Sequence, residues 1–516
     1  MAELRPGLDA FRKAARPGVV IPVWTEFPFD LDTPVTAFAK MRTGAGGEGA
    51  DPSPGSGSGF AFLLESVEGG ERWARYSMLG SAPREVWRLA GKDVQTWTQD
   101  GGWGNSRPVS DPFADFSAWI GRSTPVADEE LPRFWGGAVG YFGYDCVRQV
   151  EHLPSVPPDD IGLPDACFMM TDCALIIDNL FSKAIAVTAV EVDEEAARNP
   201  DPAYEEAARR LAVWTARLKQ VHDLRSGRAD APDGADREGG AARFTGNRSR
   251  EDFEGAVRRV RDYIAAGDVY QVVVSQRQGG PVRQSVLSLY RTLRRRNPSP
   301  YLFLIEFDGM ALIGSSPETL VRVADGEVTV RPIAGTRPRG RDQREDAANE
   351  ADLLADQKER SEHLMLVDLG RNDVGRVAAP GTVSVPRFME IERYSHVMHI
   401  VSEVTGQLRP GRTAVEALRA CFPAGTLTGA PKVRAMEIID ELEPTKRGPY
   451  GGAAGYVGYG GGTLDVAIVI RTLLVTGGTA YAQAGAGIVY DSRPRTEWEE
   501  TRHKAGALMD ALDSPG

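Results

Sequence analysis

An α+β fold is what this sequence predicts, and three observations predict it. Short β-type runs crowd the first 190 residues. Strands and helices mix with hairpin-like strand pairs from Phe244 onward. No internal repeat at a fixed period signals a regular βαβ or solenoid array. At about 100–200 residues per domain, 516 residues make two large domains or three ordinary ones, with room for a sizeable core.

The elements follow in chain order. FAFLLESV, EVWRLAG, DVQTWTQ, GAVGYFGY and ACFMMTDCALIIDN carry the β-branched and aromatic content of strands, so residues 1–190 read as a β-rich N-terminal domain. Residues 44–59, GAGGEGADPSPGSGSG, interrupt it with the composition of a loop. Residues 201–223 turn to helical spacing with mixed charge, and 225–243 lose periodicity altogether. Residues 191–245 therefore read as a helix plus linker, with the main boundary there.

In the third segment, 246–516, SREDFEGAVRRVRDYIAAGDV predicts a helix opened by a Ser249–Asp252 capping box. VYQVVVSQR predicts a strand, SVLSLYRTLRRRN a helix, and YLFLIEF, ALIGSS and EVTVRPI three strands. Residues 344–372 predict one long helix. KVRAMEIIDELE predicts another with Pro431 at its first position, and TEWEETRHKAGALMDAL a last one opened by a Thr496–Glu499 capping box.

Composition narrows the function. Sixty Lys and Arg against 72 Asp and Glu leave a formal net charge of −12, which argues against nucleic-acid binding but leaves room for a local basic site and an anionic substrate. Cys146, Cys167, Cys173 and Cys421 form no Cys-x-x-Cys pair and are too few for a disulfide scaffold, so reduced, partly buried thiols are expected. The N-terminal stretch lacks the apolar core of a signal peptide. Runs such as 174–177 and 466–470 are too short to span a membrane, so the expected location is the cytoplasm, with no membrane partner.

Several motifs fail. GTLTGAPK at 425–432 lacks the terminal Gly-Lys-Ser/Thr of a phosphate loop, and GYVGYGGG does not complete a dinucleotide fingerprint. His396 and His399 stand three apart without a third zinc ligand. Two carboxylate pairs say more. Glu359 with Glu362, and Glu497 with Glu500, are spaced i, i+3 and share helix faces. Acidic residues also suit a first helical turn, so spacing alone leaves both a structural and a functional reading open. If the pairs converge, an oxygen-only donor set favours magnesium over zinc. Three glycine-rich turns, PIAGTRPRG, PAGTLTGAPK and QAGAG, bring backbone amides into the open. The hydroxyls of Thr426 and Thr428 beside a helix N-terminus make a ready anion site. Arg471 follows the strand DVAIVI, and Lys504 lies four residues from Glu500. Together these suit a dianionic organic acid held through magnesium; ordinary turns and surface ion pairs are the alternative.

The wording of the motifs is more specific. GDVYQVVVSQR, NPSPYLF, GSSPETLVRV, PIAGTRPRG, SEHLMLVDLGRND, YSHVMHIVSEV, FPAGTLTGAPK, GPYGGAAGY, DVAIVIRT, QAGAGIVYDSRP and ETRHKA resemble, in order, the chorismate-binding enzymes, and within them most closely the anthranilate synthase large subunits. LLESVEGGERWARYSMLG resembles that family's tryptophan-sensing segment. The resemblance implies two packed, orthogonal antiparallel sheets with helices outside and the active site in a cleft of the second half. It implies Mg2+ as cofactor, held by Glu362 and Glu500, with Glu359 and Glu497 behind them. Tyr450, Arg471, Lys504 and the amides of Gly485, Ala486 and Gly487 match positions around the substrate carboxylates. Gly335 and Thr336 match the turn that closes over chorismate. Glu318 matches the acid that helps the C4 hydroxyl leave, Thr426 belongs to the catalytic set, and His399 matches the histidine beside the enolpyruvyl group. Ser66, Pro300, Tyr301 and Leu302 match the pocket for tryptophan as inhibitor.

The implied reaction is amination of chorismate with ammonia followed by loss of pyruvate, without a redox cofactor. Water-adding relatives resemble one another in a Lys where this chain has Gln271, and many aminodeoxychorismate synthases have a Lys where it has Ala334. A glutaminase signature around a nucleophilic Cys is missing, so ammonia is expected free or from a separate glutamine amidotransferase subunit. The nearest alternative is an enzyme making 4-amino-4-deoxychorismate or stopping at 2-amino-2-deoxyisochorismate; an alternative of another class is a non-catalytic tryptophan or chorismate sensor.

Overall fold

In the computed structural model the described residues are 3–42, 59–66, 75–220, 244–394 and 396–513. Among them are two sheets of 13 strands each, antiparallel except where Val19–Val20 runs alongside Thr124–Pro125. Strand alternation sorts the side chains into layers. In the Tyr301–Phe307 strand, Phe303, Ile305 and Phe307 turn toward the second sheet and meet Val139, Tyr141 and Met169 there. Leu302 and Leu304 turn the other way and pack under Leu289 and Leu293 of the Val286–Arg296 helix. The second sheet covers its own outer face likewise: Val321, Val466 and Ile468 share a cluster with Val367 and Val374 of the Gln357–Val377 helix. The result is the expected α+β arrangement of two packed sheets with helices outside.

Both sheets cross the boundary expected between residues 1–190 and 246–516. Ala61–Glu65 pairs with Tyr301–Phe307 in the register Leu302 to Glu65. Gly137–Phe142 pairs with Ala453–Gly458 in the register Gly455 to Gly140. Gly140 is required here, because a Cβ would stand 2.0 Å from the Cys167 carbonyl oxygen. Each half closes an edge that the other would leave unpaired, so the two halves share sheets and core. The 191–245 segment supplies the end of the Lys183–Val192 strand and the Asp201–Leu218 helix. The linker 225–243 and the loop 44–58 lie outside the described residues.

Local expectations meet mixed outcomes. The Ser249–Asp252 capping box forms at the head of the Arg250–Ala266 helix. The single helix expected over 344–372 is two, Gln343–Ala355 and Gln357–Val377. Asp356 breaks it by taking an extended conformation and accepting hydrogen bonds from the amides of Lys358 and Glu359, which caps the second helix. Pro431 caps the Lys432–Leu442 helix from outside rather than occupying its first position. The last helix, Pro494–Asp513, starts two residues before Thr496, and Glu499 pairs with Arg495 at 2.8 Å instead of closing a capping box. QAGAG is the end of the Thr479–Ile488 strand, not a turn. All four cysteines are buried thiols. No helix among the described residues is long and apolar enough to cross a membrane.

One buried ion pair ties these parts together. Arg447 donates to both oxygens of Glu443 at 2.7 and 2.8 Å, to the Leu427 carbonyl at 2.7 Å and to the Val273 carbonyl at 2.8 Å. Removing one partner of such a pair leaves a charge buried alone, at a cost of about 3–5 kcal/mol. Arg447→Ala is therefore expected to lower the unfolding free energy in a urea titration by that margin, and an unchanged value would mean the pair is dispensable.

Candidate active site

Between the sheets and the Gln357–Val377 and Pro494–Asp513 helices opens a cleft of about 490 Å³. Its acidic side comes from those two helices. Glu359 and Glu362 on one, and Glu497 and Glu500 on the other, line the same space, so the two pairs do converge. Burial raises the Glu359 carboxyl, and the charge of Glu362 raises it further. Burial raises Glu497 likewise, offset by the Ser492 hydroxyl and reinforced by Glu500. Lys504 answers part of this charge: its Nζ lies 2.7 Å from Glu500 Oε1 and donates to the Gly485 carbonyl at 3.1 Å. Gln271 donates from Nε2 to Glu362 Oε1 at 3.3 Å.

The opposite side is drier. Glu318 is buried beside Arg471, and burial pushes its carboxyl up to about 8. The Thr426 hydroxyl stands near enough to temper that rise, yet it reaches hydrogen-bond geometry with no partner. At neutral pH Glu318 is thus a protonated acid, the state a proton donor needs. Arg471 adopts a left-handed φ of 48°, a conformation that costs a non-glycine residue about 1–3 kcal/mol, held by a hydrogen bond from the Ser315 amide to the Arg471 carbonyl at 3.1 Å. Burial lowers its guanidinium, and Glu318 opposes that once it is ionised.

His399 completes the wall from the Val397–Gln407 strand. Its Nδ1 lies 2.9 Å from the Gly335 carbonyl and 3.1 Å from Thr336 Oγ1. A carbonyl only accepts, so Nδ1 carries the hydrogen and Nε2 keeps its lone pair. Burial lowers the imidazole, with the Gly335 carbonyl opposing and Arg471 assisting, which keeps it neutral at pH 7. Gly335 sits in a bulge of the Ile333–Pro338 strand with φ 65°; a Cβ there would meet Leu353 Cδ1 at 2.9 Å and Glu359 at 3.3 Å.

The floor is backbone. A Cβ on Gly485 would be crowded by the Tyr450 hydroxyl at 2.9 Å, Val273 at 3.0 Å and the Val274 carbonyl at 3.1 Å, which favours glycine there, whereas one on Gly487 would push aside the Gln271 amide, 2.3 Å away. Tyr450, Thr336 and Thr426 line the cleft with them. Ala486 does not: strand alternation turns its side chain into the core beside Val272 and Ile488. Thr428 also stays out, because its hydroxyl is buried on the Ala424 carbonyl at 3.0 Å. Of the expected anion site at that helix N-terminus, Thr426 lines the cleft and Thr428 does not. His396 is exposed and apart from it.

Sequence reasoning passed over Lys358 and Gln483, which also line the cleft. The signal for each was adjacency: Lys358 precedes Glu359, and Gln483 opens QAGAG. Gln483 donates to Ser275 Oγ at 2.8 Å, which in turn donates to Glu443 at 2.8 Å.

A second cavity, of about 430 Å³, gathers Ser66, Pro300, Tyr301 and Leu302 with Leu64, Met78 and Tyr456. Residues more than 230 positions apart in sequence meet there because the Ala61–Glu65 and Tyr301–Phe307 strands are neighbours. The Tyr301 hydroxyl donates to Asp465 at 2.8 Å and lies 2.9 Å from Thr319 Oγ1.

A chain built this way is an enzyme of the chorismate-binding family, to which it belongs: residues 78–510 match the model described as chorismate binding enzyme. Its relatives include anthranilate synthase component 1 of Pseudomonas putida, 48% identical over 495 residues and 95% of each chain. That of Acetivibrio thermocellus is 45% identical over 512 residues and 99% of each. Among solved structures, anthranilate synthase component I from Streptococcus pneumoniae TIGR4 aligns with a TM-score of 0.71 at 38% identity, over 86% of this chain and 95% of that one. The menaquinone-specific isochorismate synthase of Escherichia coli, 18% identical, shares the fold at a TM-score of 0.68 over 97% and 96%.

The raised Glu318 carboxyl gives a direct test. Infrared difference spectra should show a protonated-carboxyl band that fades as pH rises through about 8. Glu318→Gln should lack it. A band that fades in the ordinary carboxylate range would place Glu318 in water rather than in a dry pocket.

Proposed function

We propose that this chain is a cytoplasmic anthranilate synthase component 1, which aminates chorismate with ammonia and eliminates pyruvate to give anthranilate, the first committed step toward tryptophan. One observation carries the choice among chorismate enzymes: Gln271 and Ala334, where the water-adding and aminodeoxychorismate-forming relatives place a Lys, both line the cleft. An amide is no general base and a methyl is no nucleophile, so neither position offers an amine to compete with ammonia.

The residues divide the work. Arg471, Lys504 and the Gly485 and Gly487 backbone orient the substrate's carboxylates. Glu362 and Glu500 would hold a magnesium ion, with Glu359 and Glu497 supporting them. Among the described residues no three His, Cys, Asp or Glu side chains form a metal cage. Magnesium does not need one, since it commonly takes one or two carboxylates and keeps waters and substrate oxygens as its other ligands. When bound, the ion neutralises the ring carboxylate and draws electron density from the ring. Glu318, protonated, gives its proton to the departing C4 hydroxyl as ammonia attacks C2, and water leaves. The C2 proton is then removed and the enolpyruvyl C–O bond breaks; His399, with Nε2 unprotonated, is placed to move a proton in that step. Pyruvate leaves and the ring becomes aromatic. Burial raises all four cysteine thiols, which suits none of them to attack glutamine, so ammonia comes free or from a separate glutamine amidotransferase subunit.

The test is the purified chain with chorismate, magnesium and ammonium salt at alkaline pH. Anthranilate fluorescence and stoichiometric pyruvate are expected, with no turnover on glutamine alone. Glu362→Gln and Glu500→Gln are each expected to lose about 100-fold or more in kcat while staying folded. A product with the mass of 4-amino-4-deoxychorismate would reassign the enzyme, and chorismate or tryptophan binding without turnover would make it a sensor.

We further propose that the 430 Å³ cavity binds tryptophan as feedback inhibitor. Leu64, Met78 and Tyr301 offer the indole an apolar slot, and Ser66 offers its charged ends a hydrogen bond. Inhibition requires tryptophan to favour a less active arrangement, and linkage makes chorismate weaken tryptophan binding by the same factor. Calorimetric titration of tryptophan with and without chorismate should show that shift, and Ser66→Phe should abolish binding. Equal affinity in both titrations would refute the coupling.

A further inference from the structure

The strand that carries Gly335 and Thr336 is fastened to the helix pair behind the acidic side of the cleft. Arg339 reaches Asp346 at 2.8 Å, and Asn349 donates to the Pro338 carbonyl at 3.0 Å, which fixes the strand to the first helix, Gln343–Ala355. Arg337 crosses the break to the second. Its guanidinium donates to Asp352 at 2.6 Å, on the first helix, and to Asp356 at 2.9 Å, at the break. It also lies 3.7 Å from Glu359, on the second helix, and donates to the Thr336 carbonyl at 3.1 Å.

Asp356 divides its two oxygens. Oδ1 caps the Gln357–Val377 helix by accepting the Lys358 and Glu359 amides at 3.0 and 3.2 Å, and Oδ2 takes Arg337. Holding Arg337 therefore holds the helix cap, the first turn with Glu359 and, one turn on, Glu362. The residues just before Arg337 hold the other side of the chemistry, since the Gly335 carbonyl and Thr336 hydroxyl orient His399.

We propose that Arg337 is a positioning residue that sets the acidic wall and His399 in register with each other. It does not itself line the cavity, and reaches it only through wall residues such as Glu359 and Thr336. The planar fork matters: three carboxylates on two helices and a break are spanned by separate guanidinium nitrogens, which a single ammonium cannot imitate. The inference rests on the magnesium-dependent amination proposed above.

The experiment compares wild type, Arg337→Gln and Arg337→Lys. Wild type must first show magnesium-dependent amination; if it does not, the functional reading fails, not this inference. In ammonia-free buffer with chorismate present, calorimetric magnesium affinity of Arg337→Gln should fall by about 10-fold or more, the range that loss of supporting contacts around a metal produces. In the assay, kcat/KM for chorismate should fall by about 10- to 100-fold, with circular dichroism and melting cooperativity unchanged. Arg337→Lys should recover only part of each loss. If Arg337→Gln does not fold, Arg337→Lys decides on the same two readouts. Magnesium affinity and kcat/KM within about twofold of wild type overturn the inference, and so does full recovery by Lys, which would reduce Arg337 to a point charge.

Discussion

The cleft depends on one buried ion pair. Glu443, at the end of the Lys432–Leu442 helix, accepts the Ser275 amide at 2.7 Å, and Arg447 spans from it to the Leu427 and Val273 carbonyls. Val273, Leu427 and, through Ser275, Gln483 are all wall residues. Three chain segments distant in sequence are thus pinned to one charge pair beneath the cleft. Such a pair adds little net stability over a well-packed apolar substitute. Its value is directional. Arg447 ties the Gln271 strand to the Thr426 turn, and its partner Glu443, through Ser275 and Gln483, ties in the Thr479 strand.

Above that floor the cleft separates two electrostatic environments. Four glutamates crowd one side, where Lys504 offsets part of the charge and Gln271 adds a neutral hydrogen bond to Glu362. Glu318 and His399 stand on the other, where burial holds the first protonated and the second neutral. Titratable groups held in different environments let one site carry an acidic surface and a proton donor at the same pH. The left-handed backbone at Arg471 belongs to the same design, because it turns a cation toward Glu318 at the exit of a strand.

The second cavity lies one strand pairing away. Tyr301 faces Ser316 across the ladder, and Pro317 and Glu318 follow at once on the active-site side. Asp465, bonded to Tyr301, begins the stretch that ends at Arg471. A ligand that moves Tyr301 therefore acts on two strands that both end in the cleft, a short physical route for coupling.

By itself the sequence determined the α+β class, the capping box at Ser249, and the family with nearly all its cleft residues, since those signals are local: periodicity, cap chemistry and short strings of fixed residues. It misread the chain where a neighbour in space decides. Residues 344–372 have unbroken helical spacing, and Asp356 ends the helix because it caps the next one while holding Arg337. QAGAG has the composition of a turn and becomes a strand because the Gln271–Pro281 strand offers it a full ladder. Only the tertiary structure decided that the halves share both sheets, that the two glutamate pairs face one space, and that Arg337 links the Gly335 strand to both helices behind the cleft. Each of these is a contact between segments far apart along the chain, fixed by backbone pairing and buried charge rather than by any pattern within a single stretch.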